Sequence, residues 1–460
     1  MTIPLPPQIN SVFSIALVYS SLIIQMDTST PIAGVRCKRK LDEKSLMELP
    51  KEDLVQKILT LKEQLAKVTA KADKKVMEVS IKKKKKKPFD FSKVKMRSIV
   101  LKVLYQGWNY HGFQIQSLTK NTIAQHIMDA LQKTCLIENK EKANFACSGR
   151  TDMAVSAFCQ VISVSIRSKL NSPGVDNDDD ELDYLKMLNS NLPRDIRVVA
   201  WSPVPEKFSA RFDCLFRNYK YWFPRAGLDI DEMNKAAQYL VGTHDFRNLC
   251  KMNVANGVVI FNRTVTHASI RTTFSNNQFN DSDHDMCEFN IRSQAFLWHQ
   301  IRCIMSVLFM IGQGKEKPDV IQHLFDIDNC PRKPVYPMVM GEPLNLYRTE
   351  FDPTAIDWRY GVEVEPVLRD LHQEWSLTSI KASMLGEMMK DLKQESKSCF
   401  EGNVNHLIEG KEARGMIPQE HVPLKSRPTC ESLENRIQHY VKKKKIELVS
   451  DPYTEEAVTE

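Results

Sequence analysis

The chain has 460 residues, of which 64 are basic and 57 acidic, for a net charge of +7, and 42% are hydrophobic. That is enough for two or three domains with a packed core. Its 11 cysteines are scattered; an odd number, with no Cys-x-x-Cys pair and no Cys/His cluster at zinc-finger spacing, argues against a disulfide framework or zinc site and points to a reducing compartment.

In chain order, the apolar run "SVFSIALVYSSLII" at 11–24 is too short for a comfortable membrane span. It also lacks the basic flank and cleavage site of a signal peptide. The polar restart at Met26 admits a second reading, in which translation begins there. Residues 1–45 read as a disordered extension. Leu54, Ile58, Leu61, Leu65 and Val68 form an a/d seam of about two heptads just after Pro50, so 46–80 reads as a short coiled coil or amphipathic helix. Lys82 to Lys87 is an unbroken lysine run, followed by Pro88, and 81–96 reads as a linker. Such a run attracts polyanions, chiefly nucleic acid, or serves as a nuclear import address; it is equally consistent with a solvated tether.

The globular part begins near residue 97. "RSIVLKVLYQGWNYHGFQIQ" opens as a strand and breaks at Gly107 and Gly112, and "TIAQHIMDALQKTCL" carries Ile123, Ile127 and Leu131 at helical spacing. "VISVSIRS" alternates as a half-buried strand, and the acidic "DNDDDELD" at 176–183 follows. "YLKMLNSNLP" reads as a helix, "IRVVAWSPV" and "RNYKYWF" as strands, and "DEMNKAAQYLVG" as a helix closed by Gly242. "MCEFNIRSQ" alternates Cys287, Phe289 and Ile291 against Glu288, Asn290 and Arg292, and "AFLWHQIRCIMSVLFMIGQG" reads as a buried helix. "LRDLHQEWSLTSIKASMLGEMMKDL" is helical, and "ESLENRIQHYVKKKK", ending in the run Lys442 to Lys445, is a last amphipathic segment. Interspersed strands and helices give an α/β or α+β class with two lobes.

Three places could carry chemistry. Asp152 is the one carboxylate in "ANFACSGRTDMAVSAFCQVISVSIRS"; on local grounds alone it braces a turn or caps a helix. Arg302 lies in the apolar helix with His299 three residues before it, so its guanidinium needs a partner, structural or functional. In "FSARFDCLFRNYKYWFPR" aromatics interleave with Arg211, Arg217, Lys220 and Arg225, which suits either an RNA-gripping surface or a core strand. There is no Walker A motif, no dinucleotide glycine fingerprint and no metal-ligand constellation, so the expectation is no cofactor.

"SGRTDMAVSAFCQVISV" resembles the catalytic segment of the TruA family of tRNA pseudouridine synthases. Five further stretches resemble that family in order: "VLYQGWNYHGFQIQ", "LNSNLPRDIRVV", "KFSARFDCLFRNYKYWF", "VGTHDFRNLCK" and "SQAFLWHQIRCIMSVLFMIGQG". "NLCKMNVANGVV" and the tail "RPTCESLENRIQHYVKKKKIE" resemble the eukaryotic branch that modifies positions 38/39. The resemblance covers about residues 97–350. It implies Asp152 as the catalytic aspartate, Arg150 as an arginine that helps hold the target nucleotide, Tyr219 as the residue that stacks on the target base, and Arg302 as the arginine that pairs with the catalytic carboxylate and keeps it ionised. It implies two α/β lobes with antiparallel-rich sheets around a basic central cleft, tRNA bound through its anticodon arm, and a homodimer. Two departures stand out. The family commonly has a glycine two residues after the aspartate and another before the glutamine, where this chain has Ala154 (after Met153) and Cys159. A positive φ at Ala154 would be strained.

The expected organisation is thus an N-terminal catalytic lobe at 97–210, a C-terminal lobe at 211–360 and a helical, partly disordered extension at 361–460. The expected activity is isomerisation of uridine to pseudouridine in the anticodon stem-loop, in nucleus and cytoplasm, without a membrane; a mitochondrial pool is compatible with the sequence. The competing readings are a non-catalytic RNA-binding protein on a synthase scaffold and a nucleic-acid-binding scaffold built on the coiled coil and lysine runs.

Overall fold

The computed structural model describes residues 89–170, 180–254, 257–274, 285–398, 402–409 and 420–444. The N-terminal extension, the heptad segment at 54–68 and the lysine run at 82–87 lie outside the described residues. From Phe89 onward the chain forms one compact unit.

Its elements in chain order are β1 (Lys95–Tyr105), α1 (Ile123–Lys133), β2 (Ala146–Cys147), β3 (Ser156–Ser168), α2 (Tyr184–Asn189), β4 (Ile196–Pro203), β5 (Phe216–Pro224), α3 (Ile230–Gln238), β6 (Gly242–Asp245), β7 (Asn262–Phe274), β8 (Met286–Ser293), α4 (Gln300–Gly312), α5 (Val320–Phe325), β9 (Leu344–Glu350), α6 (Val364–Ser396) and α7 (Leu433–Lys444). All nine strands belong to one sheet of order β4-β1-β3-β9-β5-β8-β7-β6, with β2 paired to β3. The expected lobes on either side of residue 210 are therefore halves of a single sheet. Their join is slight: β3 and β9 run parallel and pair only at Ser156–Asn345 and Ala157–Leu346. Every other pairing is antiparallel.

Helices cover one face. In α1, Thr122 accepts from the Gln125 amide to cap the start, and Ile123, Ile127 and Leu131 are buried at the expected spacing. Every residue of α4 is buried. Its Phe309 packs edge-on against Tyr221 and Phe223 of β5. The helix starts later than its apolar run suggests. Phe296 and Leu297 precede it, and His299 is its N-cap in the left-handed region, at φ 59°. His299 thus lies just outside the helix that carries Arg302.

The opposite face of the first half has its own small core of Val100, Cys159, Val161 and Ala210. This is why β3 is not half-buried through its middle: Ser163, expected to face water, is buried, and its hydroxyl accepts from the Ala210 amide at 3.1 Å. In the second half Glu288 is likewise fully buried, held by Lys220 at 2.9 Å and Arg271 at 2.8 Å. Helix α6 has 33 residues, and Leu377, Ile380, Met384, Met388 and Leu392, on one side of it, are exposed.

The acidic stretch ends in a buried ion pair. Glu181 lies 3.2 Å from Arg97 of β1, and both side chains are almost wholly covered. Burial pushes the Glu181 carboxyl up, but the Ser168 hydroxyl and the Lys169 and Leu182 amides outweigh it, so the group titrates below its ordinary value of 4.5. A lowered carboxyl contributes stability that is present above its unfolded value and lost as pH falls through the folded one. Glu181→Gln is expected to cost about 2 kcal/mol at neutral pH by replacing a charged acceptor, paired with Arg97 and hydrogen-bonded by Ser168, Lys169 and Leu182, with a neutral one. The gap to wild type should close on acidification below the 4.5 of the free group. Chemical denaturation across a pH series checks this, and a gap that does not change with pH would refute the ion-pair account.

Candidate active site

The loop between β2 and β3 is gripped from every side. Its Thr151 shares a buried hydrogen bond of 2.7 Å with the Tyr105 hydroxyl, and its carbonyl accepts from the Phe113 amide at 3.0 Å. Gln160 of β3, fully buried, donates to the Gly149 carbonyl at 2.6 Å and accepts from the Gly149 amide at 3.1 Å and the Ser148 hydroxyl at 2.7 Å. Two glycines let the backbone approach the loop: a Cβ on Gly107 would sit 1.9 Å from the Val155 carbonyl oxygen, and one on Gly341 would sit 2.6 Å from that of Met153.

Arg217 of β5 fixes the loop's base. Its buried guanidinium donates to the backbone carbonyls of Ser148 at 2.8 Å, Cys214 at 2.9 Å, Gln294 at 2.5 Å and Arg211 at 2.7 Å. For β5 the core-strand reading of the aromatic-basic stretch therefore holds. Arg217 is spent on carbonyls, Lys220 on Glu288, and Tyr219, Tyr221 and Phe223 are buried. Arg211 and Phe212, in the loop before β5, are exposed.

The loop opens onto a cavity of about 280 Å³. Arg150, Asp152, Tyr219 and Arg302, the four residues singled out in the sequence, all line it. Asp152 is the only acid among its lining residues, against Arg150, Arg211, Arg217 and Arg302. The Asp152 side chain keeps 25% of its surface exposed, and its Oδ2 lies 3.4 Å from His299 Nε2. The Nδ1 of His299 is buried with no hydrogen-bond partner among the described residues.

Arg302 departs from expectation. Its guanidinium donates to the Val339 carbonyl at 2.9 Å and to the carboxylate of Glu409. Glu409 belongs to a strap, residues 402–409, that bridges Ile408 to Val339. The partner of Asp152 in this structure is His299, not Arg302. His299 stood out in the sequence only as a neighbour of Arg302. Arg217 stood out only as one cation of the aromatic-basic stretch, and Gln160 and Glu409 carried no signal, because their partners are backbone groups or lie far along the chain.

Two other groups at the cavity could in principle act as nucleophile or base. Burial pushes the Cys147 thiol up to about 11 despite three nearby arginines. Burial also raises the Tyr219 phenol well above its usual range, reinforced by the charge of Asp152. Both are protonated at neutral pH, which leaves the Asp152–His299 pair to move protons or attack. Tyr219 packs edge-on against Phe296 at 5.3 Å, and its hydroxyl lies close to Gly149.

Ala154 takes φ 65°, the left-handed conformation in which a Cβ is strained. Cys159 is buried in the small second core with its sulfur 3.7 Å from the Thr349 hydroxyl. Ala154→Gly is expected to stabilise the fold by about 0.5 kcal/mol, a relief of roughly 1–2 offset by the entropy of glycine. Ala154→Val should lose about 2 kcal/mol or more, since a branched side chain tolerates this region worst. Denaturation midpoints test both; a destabilised glycine variant would mean the loop is unstrained.

Residues 236–352 match the family described as tRNA pseudouridine synthase. The chain is 43% identical over 390 residues to the tRNA pseudouridine(38/39) synthase of Bos taurus, covering 79% of this chain and 81% of that protein. It is 41% identical over 423 residues to the protein of the same description from Homo sapiens, covering 86% and 87%. The corresponding protein of Saccharomyces cerevisiae is 36% identical over 387 residues, covering 80% and 83%. A fold of this order, with that loop and cavity, and relatives of this similarity along most of its length place the chain in the TruA family of tRNA pseudouridine synthases, on its eukaryotic branch.

Proposed function

We propose that the protein isomerises uridine to pseudouridine in the anticodon arm of tRNA, at positions 38/39, with Asp152 as the nucleophile. The observation that carries this reading is the convergence of Arg150, Asp152, Tyr219 and Arg302 on one cavity whose only acid is Asp152. The similarity to tRNA pseudouridine(38/39) synthases supports the substrate and the positions.

The target base must leave its stack to be reached. Arg150, exposed beside the cavity, holds the nucleotide, and Tyr219, a neutral phenol, is the surface against which the base lies. Attack of an Asp152 oxygen on the ribose C1′ breaks the C1′–N1 bond, and the bonding pair leaves with the uracil. The base turns, C5 attacks C1′, and the carboxylate departs. The proton lost from C5 balances the one gained at N1, so the product is an isomer and no electrons are consumed. A general-base role would use the same carboxylate. His299, 3.4 Å away, orients Asp152 and can relay a proton to it. Arg302, anchored by Glu409 and Val339, supplies a fixed positive charge to the cavity wall.

The reading extends to a homodimer, which the exposed apolar side of α6 supports. Light scattering of the full chain should give twice the monomer mass; a monomer at working concentration would remove this part of the proposal and leave the chemistry standing.

Asp152→Asn is expected to lower pseudouridine formation on unmodified tRNA by at least about 10³-fold while tRNA affinity stays within about 3-fold. Mapping pseudouridine at every uridine, with binding measured alongside, is the test. Wild-type protein that binds a panel of tRNAs and modifies none would overturn the catalytic reading in favour of an RNA-binding protein on a synthase scaffold.

A further inference from the structure

A second cavity, of about 340 Å³, adjoins the first and shares Trp298 as a wall. Its chemistry is distinctive. Its lining holds three cations, Lys251, Lys333 and Arg436, two aromatics, Trp298 and Tyr336, and no carboxylate. Burial pushes its Cys250 thiol up to about 12, so that sulfur supplies no anion either.

The cations are incompletely satisfied. Lys333 Nζ donates to the Cys250 carbonyl at 2.9 Å and to Cys303 Sγ at 3.1 Å, and lies over the Tyr336 ring. Arg436, carried in by α7, donates one Nη to the Met252 carbonyl at 3.1 Å, while its Nε is buried with no hydrogen-bond partner among the described residues. Lys251 Nζ sits 6.0 Å from the Trp298 ring. Trp298 is 43% exposed, its ring lies against His299 at 4.2 Å, and its carbonyl accepts from the Lys251 amide at 3.0 Å. A planar, exposed indole beside cations that meet no carboxylate among the described residues is the chemistry that takes up a nucleotide: the base stacks and the phosphate is paired.

We propose that this cavity binds a nucleotide flanking the target uridine on the same RNA strand, stacked on Trp298, with its phosphate held by Lys251 and Arg436. The inference rests on the RNA-modifying reading of the neighbouring cavity. The shared wall is the reason for choosing the same strand over a free nucleotide: a strand whose uridine enters the first cavity runs past Trp298 into the second. The subsite also gives the C-terminal helix α7 a direct part in substrate recognition.

The test uses the full chain and unmodified tRNA transcripts. Lys251→Ala and Arg436→Gln are each expected to raise KM about tenfold with a smaller effect on kcat. Each should also reduce the slope of log affinity against log salt by about 0.7–0.9, the signature of one lost phosphate contact. Replacing flanking nucleotides one at a time by abasic residues should weaken wild-type binding at one position, to which Trp298→Ala is indifferent. Variants with wild-type KM and salt slope, or a Trp298→Ala enzyme that still responds to the same abasic position, overturn the subsite. A wild-type enzyme that forms no pseudouridine, yet whose RNA binding weakens in these variants, would instead sink the catalytic reading and leave the nucleotide site in place.

Discussion

The architecture depends on one buried cation that meets no anion among the described residues. Arg217 spends its guanidinium on four backbone carbonyls, and those carbonyls belong to three separate stretches: the root of the Asp152 loop at Ser148, the loop before β5 at Arg211 and Cys214, and the turn after β8 at Gln294. A planar, permanently charged fork can bind several carbonyls at fixed angles, which a lysine cannot. The ladder alone would not hold these pieces together, because its two halves are in register at only two residue pairs between β3 and β9. The guanidinium supplies the registration that the short parallel join lacks, so that residues at 150, 152, 219 and 302 face one space.

The loop so held stores strain. Ala154, two residues after Asp152, and His299, whose ring nitrogen lies 3.4 Å from its carboxylate, are both in left-handed backbone conformations. Such geometry persists only where surrounding contacts over-determine it. Here those contacts are visible: the Ala154 amide is bonded to the Tyr110 carbonyl, and Gly107 and Gly341 allow backbone to press on Val155 and Met153. A carboxylate on a loop this confined is preorganised, which is what the attack proposed for Asp152 needs.

Much of this was legible in the residues, and what was hidden was hidden for definite reasons. The alternation of Ile162, Val164 and Ile166 and the spacing of Ile123, Ile127 and Leu131 gave the strand and helix, since one-sided burial writes a period into sequence. The burial of Ser163 and Glu288 did not show, because it depends on what covers the second face of the sheet. The late start of α4 was masked by apolar residues that are buried before the helix begins. Asp152 was marked by its neighbours Gly149, Arg150 and Thr151, whereas the partner of Arg302 lies 107 residues away, a separation across which no local pattern speaks. The strain at Ala154 was readable as a condition, and the backbone met it.

The strap and the last helix have a consequence for the life history of the molecule. Arg302 is anchored by Glu409, and the second cavity is closed by Arg436. Ribosomes deliver a chain from its N-terminus at roughly 5–20 residues per second, so Asp152, Tyr219 and Arg302 are all made well before the residues that lock the wall around them. The sheet can assemble while the wall is still unfinished, and a nascent chain carries Asp152 through several seconds of synthesis with the Arg302 guanidinium held by the Val339 carbonyl but not yet by Glu409. Completion of the final segment therefore acts as a clock on competence: a chain that stalls late in translation would be folded in its core and yet lack the finished wall.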